Sequence, residues 1–491
     1  MPSRFPTHTP RPTALAPPRE PPARLVFVVL VMLVATLLML ALAWPVTSAQ
    51  AAVGRGLCVN ELDGGLADPT ARAEVIGEVA DKLDAGWVRL VANWPSLEPS
   101  RGVYNEAALA NLDSSVNELS ARGVKLVLTF CYTPQWASDS SFWGNPPTGL
   151  PAGYNGRYPI RDGALDDMGA TAEMLAARYA GLVKAYECWN EPNLWGYIYP
   201  QRTAGDESFA ARTYLRYLKV FSAGVKRGDP AALVVAGSTA PCGLNDKFRT
   251  SPQRFAGFLK DHGAAQYFDV YSHHPYTVGG SINKAPDRPP NDPTTTVNLY
   301  NLKTLLRLFP AKPFYLTEYG YNTSPSRDFG GMTVTKVEQS TYLKRAYTYA
   351  GRYSQVKNLF WFLVKDAHSP GNPADWGVYT GLRETDGARK LSWFAFAGGN
   401  RLTIAAPRFA RHGTTVRISG ALTSAALGAV PGRTLQLQAR KLSGGAWRTL
   451  KSARTGSDGG YRFYVKAAGS RAYRVNWLGV KASVRRTVRV Y

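Results

Sequence analysis

The sequence predicts an α/β protein, a (β/α)8 barrel followed by a small all-β sandwich. Three observations predict it. Between Gly56 and Leu363, short β-branched or aromatic runs alternate eight times with segments of helical period, the pattern of a parallel sheet wound with helices. After Phe396 the helical period stops and apolar residues recur at period two. The charge divides at the same place. The 491-residue chain carries a formal +23, yet residues 402–491 hold seventeen Lys and Arg against one acid, Asp458, while the long middle is nearly neutral. The expected parts are 1–52, 53–398 and 402–491.

The first part is Pro-rich to residue 24 and carries Arg4, Arg11, Arg19 and Arg24. An uncharged apolar run follows, Leu25 to Ala43, then Pro45 and an Ala-x-Ala pair at Ala49 and Ala51. That order describes a secretory signal peptide. The run is also near the ~20 residues that span a bilayer, so an uncleaved transmembrane anchor stays open beside a cleaved signal. Either way the remainder is expected outside the cytoplasm, secreted or held at the cell envelope, which disfavours nucleic acid as a partner of so basic a chain.

In the middle part the expected strands are Gly56–Asn60, Trp87–Ala92, Lys125–Phe130, Lys184–Asn190, Leu233–Gly237, Tyr267–His273, Pro313–Glu318 and Asn358–Leu363. Ala71–Ala85 sets Val75, Val79 and Leu83 at four-residue spacing, and Glu207–Lys226 and Glu338–Tyr353 are amphipathic too, so all three are expected helices. Eight such units suit a closed barrel. A doubly wound open sheet is the alternative, but no Gly-rich phosphate loop follows the first strand. No cofactor is expected, and no Cys or His spacing suggests a metal. Cys58, Cys131, Cys188 and Cys242 lie far apart in or after apolar runs; buried thiols and one or two disulfides both fit.

A barrel places its chemistry at the C-terminal ends of its strands. Glu191 follows the fourth strand in "YECWNEPNLW", and Glu318 ends the seventh in "KPFYLTEYGYN". Arg89 lies in the second, and "SHHPYT" closes the sixth. Glu191 is either an acid at the rim of a site or one end of a buried ion pair. Strands four and seven face each other across the mouth, so the two glutamates can flank a sugar ring. One would donate a proton to the leaving oxygen; the other would attack the anomeric carbon or activate water. Arg89 is the expected partner that keeps Glu318 charged.

Five motifs carry a resemblance: "WNEPN" (Trp189–Asn193), "LTEYG" (Leu316–Gly320), "WVRL" with "NWPSLEPSRGVYN" (Trp87–Asn105), "DVYSHHPY" (Asp269–Tyr276) and "FWFLVKD" (Phe360–Asp366). Over about Gly54 to Phe396 the chain resembles the clan A retaining glycoside hydrolases, families 39 and 5. The resemblance implies that Glu191 is the acid/base and Glu318 the nucleophile. It implies that Asn190 binds the hydroxyl next to the anomeric carbon, that Arg89 and Tyr276, with His274, support the nucleophile, and that Trp361 forms the floor under the sugar. It implies a poly- or oligosaccharide substrate and does not name the sugar. Among the tryptophans and tyrosines of the strand-end loops, Trp136 in "CYTPQWAS" is the first candidate for stacking on a sugar. A transglycosylase using the same site, and a glycan-binding protein without catalysis, are the competing functions.

The last part alternates apolar and polar residues in "TTVRISGALT", "RTLQLQARKL", "GGYRFYVKA" and "AYRVNWLGV", with turn residues between. Strands at this spacing suggest a small sandwich, and "GAWRTL" to "GGYRF" loosely resembles the immunoglobulin-like modules of bacterial secreted enzymes. Arginines alternating with apolar residues put positive charge on one sheet face, so an anionic envelope surface is a candidate partner.

Overall fold

The computed structural model describes residues 52–63, 66–146, 152–278, 284–324, 332–367 and 379–491. The expected signal or anchor and the start of the loop after the sixth strand lie outside the described residues. Among those described, no helix is long and apolar enough to cross a membrane.

Eight parallel strands pair in chain order: β1 Gly54–Cys58, β2 Trp87–Asn93, β3 Lys125–Cys131, β4 Val183–Cys188, β5 Leu233–Thr239, β6 Val270–His273, β7 Phe314–Tyr319 and β8 Val356–Phe362. β8 pairs back onto β1, so the sheet is a closed barrel. Each expected strand is present, with small shifts at its ends. A helix follows each: α1 Pro69–Gly77, α2 Glu106–Ala121, α3 Leu165–Arg178, α4 Phe209–Gly228, α5 Pro252–Asp261, α6 Lys303–Leu306, α7 Lys336–Ala350 and α8 Leu391–Ala397. Their starts are set locally. Asp68 accepts a hydrogen bond from the Ala71 N–H with Pro69 in the first turn, and Thr335 with Glu338 forms a capping box on α7.

Side chains on the strands alternate between the barrel interior and the helix layer. Cys58, Val127, Ala185, Val235, Val270, Tyr315, Phe360 and Leu363 form the interior cluster, with Phe362 packed against it. Gly56 makes room for Phe360: a Cβ there would lie 2.4 Å from the Phe360 ring. Trp361, between two inward phenylalanines, turns outward into the core under the helices. Helices α3 and α4, which flank β4 in the chain, touch backbone to backbone. A Cβ on Gly224 would sit 2.1 Å from the Gly169 carbonyl oxygen, and one on Gly228 2.3 Å from that of Glu173.

Three residues, 398–400, separate α8 from β9. The last part folds as β9 Arg401–Leu402, β10 Phe409–Ala410, β11 Thr415–Ser424, β12 Gly428–Ala429, β13 Thr434–Lys441, β14 Gly444–Arg454, β15 Gly460–Lys466, β16 Arg471–Trp477, β17 Lys481–Ala482 and β18 Arg486–Val490. One sheet runs β10-β18-β16-β13-β14 with β17 on β16; the other runs β12-β11-β15 with β9 on β11. Ile418, Phe463, Leu437 and Val475 are buried, while Arg417, Arg462 and Lys466 alternate outward. The sandwich packs on the barrel's helices. Ser340 Oγ donates to the Gly479 carbonyl at 2.8 Å, Lys344 Nζ donates to that of Val480 at 2.7 Å, and Phe394 meets Trp477 with ring centroids 4.9 Å apart.

The α3–α4 contact predicts that Gly224→Ala forces the two helices apart and lowers stability by about 1–3 kcal/mol. Gly257→Ala, in α5 with open space around it, is expected to be neutral or mildly stabilising. Thermal unfolding of the two variants side by side checks this; equal melting temperatures would refute it.

Candidate active site

β4 ends at Cys188, and the chain then takes conformations that side chains resist. Trp189 has φ 70° and Glu191 φ 36°, both in the left-handed region. Neighbouring loops hold the turn. The Trp189 N–H donates to the Phe130 carbonyl at 2.8 Å and the Glu191 N–H to that of Ser238 at 3.0 Å. Buried Asn193 accepts from the Ala240 N–H at 2.8 Å and donates to the Thr250 carbonyl at 2.9 Å. The result carries the Glu191 carboxyl to the mouth of the barrel.

The buried ion pair weighed for Glu191 belongs instead to Glu187, within β4 in the same stretch. Arg89 Nε donates to Glu187 Oε2 at 2.7 Å, Nη1 to Glu318 Oε1 at 2.7 Å, and Nη2 to Asn190 Oδ1 at 2.6 Å. The guanidinium and both carboxylates are almost completely buried. Glu187 also accepts from the hydroxyls of Thr129 at 2.7 Å and Thr317 at 2.8 Å. Burial opposes its charge, but Arg89 and these hydroxyls outweigh burial and hold its pKa below the usual carboxylate value. Glu318 takes its second partner from Tyr276, whose hydroxyl donates to Oε2 at 3.0 Å. Burial and the adjacent Glu318 push the Tyr276 phenol up, so it stays a donor.

His274 joins the two halves. Its Nδ1 lies 3.0 Å from Glu191 Oε1 and its Nε2 3.0 Å from Thr317 Oγ1. The network assigns its protons. Ionised Glu187 can only accept, so Thr317 gives its hydroxyl proton to Glu187 and accepts from His274 Nε2–H. Burial, then Arg89, push the imidazole pKa well below its ordinary value, so the ring is neutral and Nδ1 is bare. The Glu191 carboxyl facing it must therefore be the donor, and protonated. The electrostatics agree. Burial and then Glu318 raise the Glu191 pKa well above the ordinary value; burial also raises Glu318, which Arg89 and Tyr276 pull back. A carboxylate oxygen of each glutamate and a ring nitrogen of His274 lie within 4.8 Å of one another. Three such atoms can also ligate a metal ion, but Arg89 already sets a positive charge against Glu318, so a cation there would face a guanidinium.

Of these groups Arg89, Asn190 and Glu318 line a cavity of about 260 Å3, together with Asp63, Tyr132, Tyr197 and Phe362. Asn190, with its carbonyl oxygen held by Arg89, keeps its amide NH2 for a ligand. Six of the eight expected site residues thus meet: Glu191, Glu318, Arg89, Asn190, His274 and Tyr276. Two do not. Trp361 is wholly buried, with its indole N–H bonded to the Thr380 carbonyl at 3.1 Å; period two along β8 gives the cavity wall to its neighbour Phe362. Trp136 packs edge-on against buried Trp94 at 5.5 Å and donates to the Glu98 carbonyl at 2.9 Å, so its ring serves the loop after β3. His273 is held by Thr239 and the Val297 carbonyl. All four cysteines are free thiols, and Cys58 and Cys131 border the cavity.

Sequence reasoning missed Glu187, Tyr132, Tyr197 and Phe362. A charged residue inside the apolar fourth strand was the available signal for Glu187. The stacked pair Tyr132 and Tyr197, centroids 5.7 Å apart, joins two loops distant in the chain and left no local signal.

No protein-family model and no curated protein matches this chain. Solved structures do. A family 39 glycoside hydrolase from the gut symbiont Bacteroides cellulosilyticus WH2 is 18% identical, with TM-score 0.50, over 85% of this chain and 81% of its own. A GH5_18 protein from Bifidobacterium longum subsp. infantis is 16% identical, with TM-score 0.52, over 70% and 78%. One from Streptomyces cattleya, solved in complex with GlcNAc, is 16% identical, with TM-score 0.50, over 70% and 79%. At these identities the likeness is one of fold, the closed eight-stranded barrel.

The protonated Glu191 makes a stability prediction. A carboxyl whose pKa is raised in the folded state holds its proton more tightly there than in the unfolded chain. Stability therefore falls as pH rises above about 4.3 towards the folded pKa. In Glu191→Gln the amide N–H can replace the carboxyl donor to His274 without titrating. The variant should be more stable than the wild type at pH 7. The gain should vanish near pH 4. Melting curves across pH test this; a gain that does not depend on pH contradicts the assignment.

Proposed function

We propose that the chain is a retaining glycoside hydrolase that cleaves a poly- or oligosaccharide outside the cytoplasm. The observation that carries this reading is the contrast between two carboxyls that meet at His274, whose Nδ1 lies 3.0 Å from Glu191 Oε1 and 3.5 Å from Glu318 Oε2. Glu318 is ionised against Arg89 and Tyr276, whereas Glu191 holds a proton against His274. One oxygen of each lies within 4.8 Å of the other, an approach compatible with the ~5–5.5 Å carboxyl separation of retaining sites. The barrel fold shared with a family 39 glycoside hydrolase supports the same reading.

In the first step Glu318 attacks the anomeric carbon and forms a glycosyl ester. The bond to the leaving sugar breaks, and that oxygen takes the proton of Glu191. In the second step Glu191, now a carboxylate, removes a proton from water as the water oxygen attacks the anomeric carbon. Glu318 leaves as a carboxylate, and Glu191 is protonated again. Two inversions retain configuration. The Asn190 amide is set for the hydroxyl beside the anomeric carbon, and the ring of Phe362 supplies the apolar wall that the sequence assigned to Trp361. The basic, apolar, Ala-x-Ala order of the N-terminal segment supports a secreted or anchored enzyme.

The sandwich is proposed to bind an anionic envelope polymer or surface. Arg408, Arg485, Arg486 and Arg489 surround a cavity of about 620 Å3 beside the exposed ring of Phe409. Arginines gathered without a carboxylate among them favour an anionic ligand.

Glu318→Gln should abolish turnover of the responsive member of an aryl glycoside panel, and Glu191→Gln should lower it by about 10²–10⁴-fold. Activity needs Glu318 ionised and Glu191 protonated. Its bell-shaped pH profile should therefore rise through the Glu318 pKa and fall through the Glu191 pKa, both above the ordinary carboxylate value. NMR of the first-formed product should show the anomer of the substrate; the opposite anomer sinks the mechanism. For the sandwich, the full chain should be retained on a phosphate-bearing matrix at low ionic strength. Replacing the four arginines by glutamine should shift elution to lower salt, and unchanged elution counts against this partner.

A further inference from the structure

A line of aromatic rings runs away from the cavity along the loop that leaves Glu191. The Tyr132–Tyr197 pair lines the cavity, and Arg157, whose carbonyl accepts from the Tyr199 N–H at 2.9 Å, holds its guanidinium 4.9 Å over the ring of Trp195. Trp195 meets Phe248 edge-on at 6.3 Å, and Phe248 stacks with Tyr199 at 6.3 Å. Tyr199 in turn borders a second cavity, of about 340 Å3, with Phe142, Asn145, Arg202 and Lys247.

The cations along this line are under-used. Arg157 Nε and Nη1, Arg202 Nε and Nη2, and the Asn155 amide nitrogen are buried donors with no hydrogen-bond partner among the described residues. Arg157 forms no ion pair among the described residues. Arg202 only approaches Glu207, at 3.8 Å through Nη1, and Arg254 already holds that carboxylate. Lys247 Nζ lies over Phe248 at 4.9 Å, and no carboxylate lines the second cavity. Buried guanidinium donors are ordinarily paired. Here they point to a ligand that brings the acceptors. Aromatic rings beside a polar cavity give a sugar an apolar wall, and the planar fork of arginine matches a carboxylate. The loop that carries Trp195, Tyr197 and Tyr199 continues directly from Glu191, the proposed acid.

We propose that Arg157, Arg202 and Lys247, with the rings of Trp195 and Tyr199, form a subsite for a uronic acid residue away from the scissile bond. The substrate is then an acidic polysaccharide. This inference rests on the glycosidase reading for the position of the scissile bond, but the binding it predicts does not require turnover.

The test is calorimetric binding of the full chain to oligosaccharides of alginate, polygalacturonate and glucuronoxylan. Each is paired with the same material after chemical reduction of its carboxyl groups, at physiological salt. At least one acidic member should bind about tenfold or more tightly than its reduced partner. Arg202→Gln with Lys247→Gln should remove most of that preference. Arg157→Gln should do the same, and Arg157→Lys, which keeps charge and ring contact, should restore part of it; melting curves exclude misfolded variants. Equal binding within all three pairs overturns the subsite. So does a preference that survives both variants, which would belong to the arginines of the sandwich. Turnover is measured separately: an intact preference with no cleavage counts against the hydrolase and not against the subsite.

Discussion

The site hangs on one guanidinium. Arg89 reaches Glu187 below, Glu318 at the rim and Asn190 beside it with three separate nitrogens, all inside a water-poor barrel. A cation buried to this degree is tolerable only when its acceptors are fixed, and fixing them orders three strand ends at once. Glu187 then passes order on through Thr317 to His274, and so to the proton of Glu191. The two rim carboxyls differ because only one of them touches this arginine. Their contrast comes from the scaffold beneath them, since the two side chains are chemically identical.

That scaffold explains why strain is concentrated at the strand tips. Tyr132, Trp189, Glu191 and Ser238 all adopt left-handed backbone conformations at the ends of β3, β4 and β5. Each is held by hydrogen bonds from an adjacent loop or by packing in the mouth of the barrel. Close packing of α3 on α4 through glycine fixes the strand from which the most strained turn springs. Rigidity below and strain above are complementary: the first is the condition for the second.

Much of this was legible in the chain. Eight strands could be counted because each is a short apolar run bounded by helical patterning, and Glu191 and Glu318 stood out because they fall where those runs end. Arg89, Asn190, His274 and Tyr276 followed from their motifs. The sequence was silent where phase mattered. In "FWF" every residue is aromatic, so period two along β8 could not say which ring faces in, and Trp361 was chosen where Phe362 belongs. Trp136 failed for another reason, since its direction is set by a contact with Trp94 across two loops. Glu187 was hidden by its position inside a strand, where a buried charge makes sense only once Arg89 is known to lie opposite.

Only three residues separate the last helix of the barrel from the first strand of the sandwich, and Ser340, Lys344 and Phe394 bind the two together. There is no leash. The joint therefore holds the arginine-lined face of the sandwich at a set distance from the mouth of the barrel, and a ligand of the sandwich would be carried at that distance and not swung towards the mouth.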